Sequence, residues 1–469
     1  MTRNRLIWTF VVTSIAAFMG SLDNLVVTMA LPSIREHLHA GLSGLEWTVN
    51  AYTLTFAVFL LTGAALGDRF GRRRVFTASL AVFTLASAGA ALAPNVDALI
   101  VARAIQGLGA ATMLPLSMTI LSAAVPAARR GAALGIWGAV SGLGVAIGPV
   151  VGGAIVEGAA WQWIFWLNVP IGLLALPAAW RKLSETHGAS RRLDLVGAVL
   201  ASAGLFGIVF GVVRGNSHGW TSSSVLGGIV GGAIFLISFL LYENRATQPM
   251  LPLHFFRNRS FSAVNAASLL FSFGMFGAIF LLAQSLQVVQ GYSPLQAGLR
   301  TLPWTGMPIL LAPIVGPLAD KIGGRPLIAT GLAMMAGGLA WITAVLSPTV
   351  PYAELVPAFV LAGAGMSMFF VPVGTVVLGA VRPDQQGLAS GANNAIRELG
   401  GVFGVAVLSS IFSARGSLLS PNSFMDGLRP AVAVGAVIVG LGAIVSLGIA
   451  RRTEKAEIPV EQPALEPVG

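Results

Sequence analysis

Apolar residues in this chain gather into fourteen runs, at roughly 7–30, 45–66, 75–93, 97–125, 131–156, 161–179, 194–213, 222–242, 260–289, 294–319, 326–346, 352–380, 390–413 and 429–450. A hydrocarbon core of about 30 Å takes about 20 helical residues to cross, and each run is near or above that length. The pattern predicts an all-α polytopic membrane protein with about 14 transmembrane helices. Several runs exceed about 25 residues, which implies tilt or ends that project past the bilayer. The first is too long, and too rich in internal Gly, Ser and Asp, to read as a cleaved signal peptide.

Composition agrees. Only 10% of the residues are charged and 55% are hydrophobic, with mean hydropathy +0.81. A soluble chain of this length would carry about a quarter charged residues, so lipid must replace water over much of the surface. The placement of the basic residues supplies an orientation. With the N-terminus in the cytoplasm, cytoplasmic segments hold 21 of the 28 Lys and Arg, including Arg69, Arg72, Arg73 and Arg74, and outer segments hold five. That asymmetry is the positive-inside pattern of a multi-pass cell-membrane protein with both termini cytoplasmic. The net charge of +10 then faces anionic lipid of the inner leaflet, not nucleic acid.

Several chemistries are excluded early. The chain has no Cys, so it has no thiol nucleophile, disulfide or Cys-ligated metal. His37, His39, His187, His218 and His254 fall in predicted loops or at their edges, and the closest two lack further ligands. No phosphate-binding Gly-x4-Gly-Lys-Ser/Thr sequence occurs, which argues against an ATP motor within this chain. No metal and no cofactor are expected, and an intramembrane enzyme would lack a nucleophile–base pair.

The chain also repeats itself. Gly67-Asp68-Arg69-Phe70-Gly71-Arg72-Arg73 follows the second run, and Ala319-Asp320-Lys321-Ile322-Gly323-Gly324-Arg325 follows the tenth. Asp68 and Asp320 are 252 residues apart. The spacing predicts a six-helix bundle over 1–193, an inserted helix pair over 194–259, a second six-helix bundle over 260–452 and a cytoplasmic tail over 453–469.

A few polar residues interrupt the apolar runs. Asp23 sits in the middle of the first, where a carboxylate costs about 2.5–3.5 kcal/mol on insertion scales. It is expected either to face an aqueous cavity as a proton carrier or cation-binding acid, or to be a hydrogen-bonded structural residue. Glu46, Asp97 and Glu157 lie near run ends, which leaves Asp23 as the mid-span acid of the first half. Arg103 in the fourth run stays charged and cannot itself carry the proton, but it can act on a neighbouring carboxylate. Asn394 and Glu398 share one face of the thirteenth run, while Arg397 and Glu398 point about 100° apart and need not pair. Asn50, Gln106, Gln284, Gln287, Asn394, Arg397 and Glu398 are candidates to line a substrate cavity. Asp68 is placed to act as a latch against the positive N-terminal end of the thirteenth helix, or to cap the third.

The motifs carry a resemblance. Gly67-Asp68-Arg69-Phe70-Gly71-Arg72-Arg73-Arg74 resembles the loop 2–3 signature of the major facilitator superfamily, with Ala64 where that signature usually has Gly. Leu99-x3-Arg103-x2-Gln106-Gly107-x-Gly109 resembles its helix-four motif, and Gly144-x3-Gly148-Pro149-x2-Gly152-Gly153 its antiporter motif of helix five. Ser21-Leu22-Asp23, Trp163-Ile164-Phe165-x2-Asn168-Val169-Pro170 and Gly291-Tyr292-Ser293-Pro294 resemble the drug:proton antiporter-2 subfamily, the fourteen-helix type. The resemblance implies a monomeric proton-coupled exporter of lipophilic or cationic small molecules, drugs or antibiotics, working by alternating access. Its partners would be a small-molecule substrate, protons and membrane lipid. Asp23 and Arg103 would couple protons, and Asp68, Arg69, Gly71, Arg72, Arg73, Gly148, Pro149, Gly152, Gly153 and Asp320 would serve gating. A proton-coupled uptake or metabolite carrier of the same fold, or a membrane sensor that transports nothing, stays open at this point.

The topology makes a direct prediction. Tags near Glu185 and after Arg452 report from the cytoplasm and a tag near Asn216 from outside; an external Glu185 would break the fourteen-helix arrangement.

Overall fold

The computed structural model describes residues 3–187, 194–382 and 385–450. Helices fill every predicted run: α1 (Arg3–Leu38), α2 (Leu42–Phe70), α3 (Arg72–Ala91), α4 (Val96–Ala124), α5 (Ala127–Gly158), α6 (Trp163–Lys182) and α7 (Leu195–His218). They continue as α8 (Ser223–Glu243), α9 (Arg259–Val289), α10 (Pro294–Ile322), α11 (Gly324–Val345), α12 (Tyr352–Gly379), α13 (Gln386–Arg415) and α14 (Pro421–Ser446). The expected tail, with Arg451, Arg452 and Lys455, and the linker residues Arg191 and Arg192 lie outside the described residues.

Helix starts follow local chemistry. Asn95 accepts from the Ala98 amide at 2.8 Å to cap α4, and Asp194 accepts from the Gly197 amide at 2.7 Å to cap α7. Ser293 and Gln296 form a capping box ahead of α10, whose first residue is Pro294. The last helix begins at Pro421, eight residues before the apolar run that predicted it. Its first two turns carry Asn422, Ser423 and Asp426, and their polarity hides a helix that Ser420 caps.

In the first half α2 packs on α4, α1 on α5, and α3 on α4 and α6. In the second, α9 packs on α13 and α14, α11 on α12 and α14, and α10 on α12. The inserted pair α7 and α8 pack on each other, and α7 leans on α2 and α13. The two halves meet along two seams, α2 with α13 and α5 with α10. Large apolar side chains such as Leu195, Phe206, Ile234, Leu241, Leu310 and Ile444 point outward, as a lipid-facing surface requires.

The backbone carries the repeat. Gly71 (φ 102°) and Gly323 (φ 83°) both occupy the left-handed region that favours glycine. Each donates its amide to the carbonyl four residues earlier, Gly67 and Ala319, at 3.0 Å. Both glycines and both acceptors are 252 residues apart, the offset of Asp68 and Asp320.

The seams depend on small residues. A Cβ on Gly153 would stand 2.3 Å from the Pro294 carbonyl oxygen, and one on Gly298 would stand 2.3 Å from that of Pro149. Gly153→Ala therefore forces α5 and α10 apart at this end of the seam. A cysteine introduced beside Pro294 should label faster in this variant; unchanged labelling would show that the seam has slack.

Candidate proton and substrate site

The site begins with a buried ion pair between α1 and α4. Asp23 is 0% exposed and Arg103 is 1% exposed. Arg103 Nη1 donates to Asp23 Oδ2, and Arg103 Nε donates to the Thr48 carbonyl oxygen at 3.2 Å. Gln106, three residues on from Arg103 and so on the same face of α4, accepts from Arg103 at 2.7 Å and donates to Asp23 Oδ1 at 2.8 Å. Asn168 of α6 donates to the same oxygen at 3.0 Å. Ser87 Oγ of α3 accepts from Gln106 at 2.7 Å and from Asn168 at 3.2 Å. The Tyr52 ring of α2 lies 4.3 Å from the guanidinium and its hydroxyl donates to the Gly20 carbonyl oxygen at 3.2 Å. Both oxygens of the buried carboxylate thus have donors, as a charge held away from water needs.

Sequence reasoning reached Asp23, Arg103 and Gln106 but missed Ser87, Thr48 and Tyr52. Asn168 stood inside a quoted motif without a role. Its signal was available: an amide within an apolar run.

The remaining candidates separate into distinct places. Asn50 is fully buried on α2, and neither its amide nitrogen nor its oxygen has a hydrogen bond. Glu398 is buried on α13; Arg397 reaches it at 3.2 Å and lies over the Phe370 ring at 5.4 Å. The flexible arginine stem bridges the angle between adjacent positions, so the two do pair. Asn394 is half-buried beside them, while its neighbour Asn393 donates to Asn265 Oδ1 at 3.1 Å and Ser268 Oγ at 3.0 Å. Gln284 donates within its own helix, to the Phe280 carbonyl oxygen at 3.1 Å. Gln287 crosses between halves and donates to the Met29 carbonyl oxygen at 3.2 Å. Phe271, Phe273 and Phe280 of α9 are buried, and Phe271 stacks on Phe369 with ring centroids 4.1 Å apart.

At the α2–α3 turn Asp68 pairs with Arg72 at 2.7 Å, a contact within its own half. Arg69 lies over the Phe70 ring at 5.2 Å. Glu185, past the end of α6, accepts from the Arg73 backbone amide at 2.9 Å and pairs with the Arg73 and Arg74 side chains at 3.5 and 3.7 Å. Asp320 of the equivalent turn is exposed. On α5, Cβ atoms built on Gly148 and Gly152 would meet Leu25 Cβ at 3.1 Å and the Val26 carbonyl oxygen at 2.5 Å. Those glycines, with Pro149, let α5 lie against α1 and α10. Among the described residues no cluster of His, Cys, Asp and Glu could hold a metal ion.

A two-half helical bundle with a satisfied ion pair inside and small-residue seams between the halves has the build of a membrane transporter. A family profile for the Major Facilitator Superfamily matches residues 13–405 and 264–468, and the chain belongs to that superfamily. It is 36% identical over 416 residues to the multidrug resistance protein Stp of Mycobacterium tuberculosis, covering 88% of this chain and 77% of that protein. It is 34% identical over 427 residues to the tetracenomycin C resistance and export protein of Streptomyces glaucescens, covering 90% and 79%. The cephamycin export protein CmcT of Amycolatopsis lactamdurans is 39% identical over 404 residues, covering 84% and 83%. Among solved structures the D-xylose–proton symporter superposes with TM-score 0.66 at 17% identity, covering 94% of this chain and 97% of that one, a likeness of fold.

The buried pair sets a stability prediction. Arg103→Ala strands a buried carboxylate and should lower unfolding free energy by about 3–5 kcal/mol in detergent melts. Asp23→Asn combined with Arg103→Gln should recover most of that loss, because neutral amides can bond one another. Losses that add across the two sites would contradict the pairing.

Proposed function

We propose that the protein is a proton-coupled secondary exporter of lipophilic or cationic small molecules, drugs or antibiotics, in the cell membrane. The observation that carries the reading is the position of Asp23: a carboxylate buried in a span and bound to a guanidinium that cannot titrate. Relatives named for multidrug resistance and antibiotic export support the direction and the class of cargo.

The bundles α1–α6 and α9–α14 are the two bodies that rock, with breaks at about residues 193 and 260, and the protein acts as a monomer. Both termini lie in the cytoplasm, so the α2–α3 turn is cytoplasmic and the α1–α2 connection is outside. The inter-half hydrogen bonds of Gln287 and of Glu157 with Ser293 then sit at the outer end, and this state is closed toward the outside. Asp68, which here pairs with Arg72, is free to meet the N-terminal end of α13 when the cytoplasmic side closes. That contact is worth about 0.3–1 kcal/mol, weak enough to break in each cycle.

Asp23 holds either Arg103 or a proton. Taking the proton releases Arg103 and frees Gln106 and Asn168 to re-pair, which alters the wall that α1 and α4 present to the cavity. A cationic substrate favours the ionised carboxylate, so binding expels the proton, and the proton and cargo exchange. Asn50, Asn394 and Glu398 line the route between the halves.

Export from proteoliposomes under an imposed pH gradient tests this. Asp23→Asn should abolish uphill export, and Asp23→Glu should retain part of it with a shifted pH optimum. Full coupled transport by Asp23→Asn would remove Asp23 from the role and pass it to Glu398.

A further inference from the structure

The end of the bundle opposite the α2–α3 turn closes along both seams, and each seam sets a carboxyl of the first half against a serine of the second. On the α5–α10 seam, Glu157 Oε2 accepts from Ser293 Oγ at 2.5 Å and from the Leu295 amide at 3.0 Å, and the residue is open to solvent. Two donors and water suit an ionised carboxylate. On the α2–α13 seam the arrangement differs. Glu46 is 3% exposed and faces Ser409, which is 0% exposed. Glu46 Oε2 has no hydrogen bond, and neither does Ser409 Oγ.

The groups around this carboxyl offer no countercharge. The helices packed on α2 bring Arg35, Glu36, His37 and Asp23 on α1, Arg72, Arg73 and Arg74 on α3, and Asp97 and Arg103 on α4. They also bring Arg214 and His218 on α7, and Arg397, Glu398 and Arg415 on α13. Among the described residues none pairs with Glu46. Asp23 in the same protein shows what a buried ionised carboxylate receives: an arginine and two amide donors. Glu46 receives no charged partner, and its Oε2 accepts no hydrogen bond. A neutral carboxyl tolerates that surrounding, whereas a carboxylate there would lose its hydration for nothing.

We propose that Glu46 is a proton-operated gate of the outer mouth. The α2–α13 seam closes only after the Glu46 carboxylate takes a proton from the outer medium, and opening returns that proton to the same side. No net charge crosses the membrane by this step. It makes the closing of the outer mouth, and with it the return of the carrier, depend on external pH. The inference rests on the proton-coupled, alternating-access reading above, but it assigns a separate proton from the one held by Asp23.

The chain lacks cysteine, so two can be added for spin labels: Gly41→Cys ahead of α2, where an added Cβ meets nothing within 4 Å, and Ala414→Cys at the exposed end of α13. Distances between them are measured by electron spin resonance in lipid nanodiscs, without substrate, from about pH 9 to about pH 5. The parent pair should shift from a long to a short distance as pH falls. Glu46→Gln, neutral and of the same shape, should hold the short distance at every pH, while Glu46→Asp should keep the shift. Asp23→Asn should also keep it, which separates this gate from the coupling acid. A full shift in Glu46→Gln, loss of the shift in Asp23→Asn, or no shift in the parent pair would each overturn the proposal.

Discussion

The Asp23–Arg103 pair is the interaction on which the first half of the molecule depends. A guanidinium and a carboxylate with almost no exposure are each intolerable alone, and removing one partner of such a pair costs about 3–5 kcal/mol. The pair spans α1 and α4, Gln106 and Asn168 extend it to α6, and Ser87 brings in α3. Tyr52 adds α2 through its ring and its hydroxyl. Five helices are therefore tied to one carboxylate. A change in the charge of that carboxylate would act on all of them together.

Between the halves the physics is different. Helices in lipid gain little from hydrophobic burial against each other, so close packing sets their contacts. Gly153 with Gly298 seats α5 on α10 at backbone distance. Of the hydrogen bonds between the halves, those of Gln287 with Met29 and of Glu157 with Ser293 lie toward one end, and that of Thr305 with Ala146 lies near mid-span. The result is one strongly bonded interior and two lightly bonded seams, the division of labour that rigid-body rocking requires.

The fold was legible in the sequence because crossing a bilayer demands long apolar runs, and the repeat was legible because Asp68 and Asp320 mark equivalent turns. The glycine conformations at Gly71 and Gly323 supply its backbone form. The site was legible only in part. Arg103 and Gln106 share a helical face, so their spacing announced them, but no periodicity within one helix names its partner on another. Ser87 is an ordinary small polar residue until α3 brings it in, and Thr48 contributes its backbone carbonyl, which no side-chain pattern marks. Glu46 was hidden by a different limit: it stands just inside the start of an apolar run, and the helix begins earlier, at Leu42, so a residue read as terminal is buried in a seam. Arg397 and Glu398 were expected to diverge from backbone geometry alone, and the length of the arginine closes the gap.

The central claim is that substrate and proton compete for Asp23. The most direct test is proton release on binding, recorded with a pH-sensitive dye in weakly buffered detergent solution at a series of starting pH values as a lipophilic cation is added to the purified protein. The account predicts proton release from the native chain that grows as the starting pH is lowered and more Asp23 is protonated, and none from Asp23→Asn. Undiminished release from Asp23→Asn would contradict it.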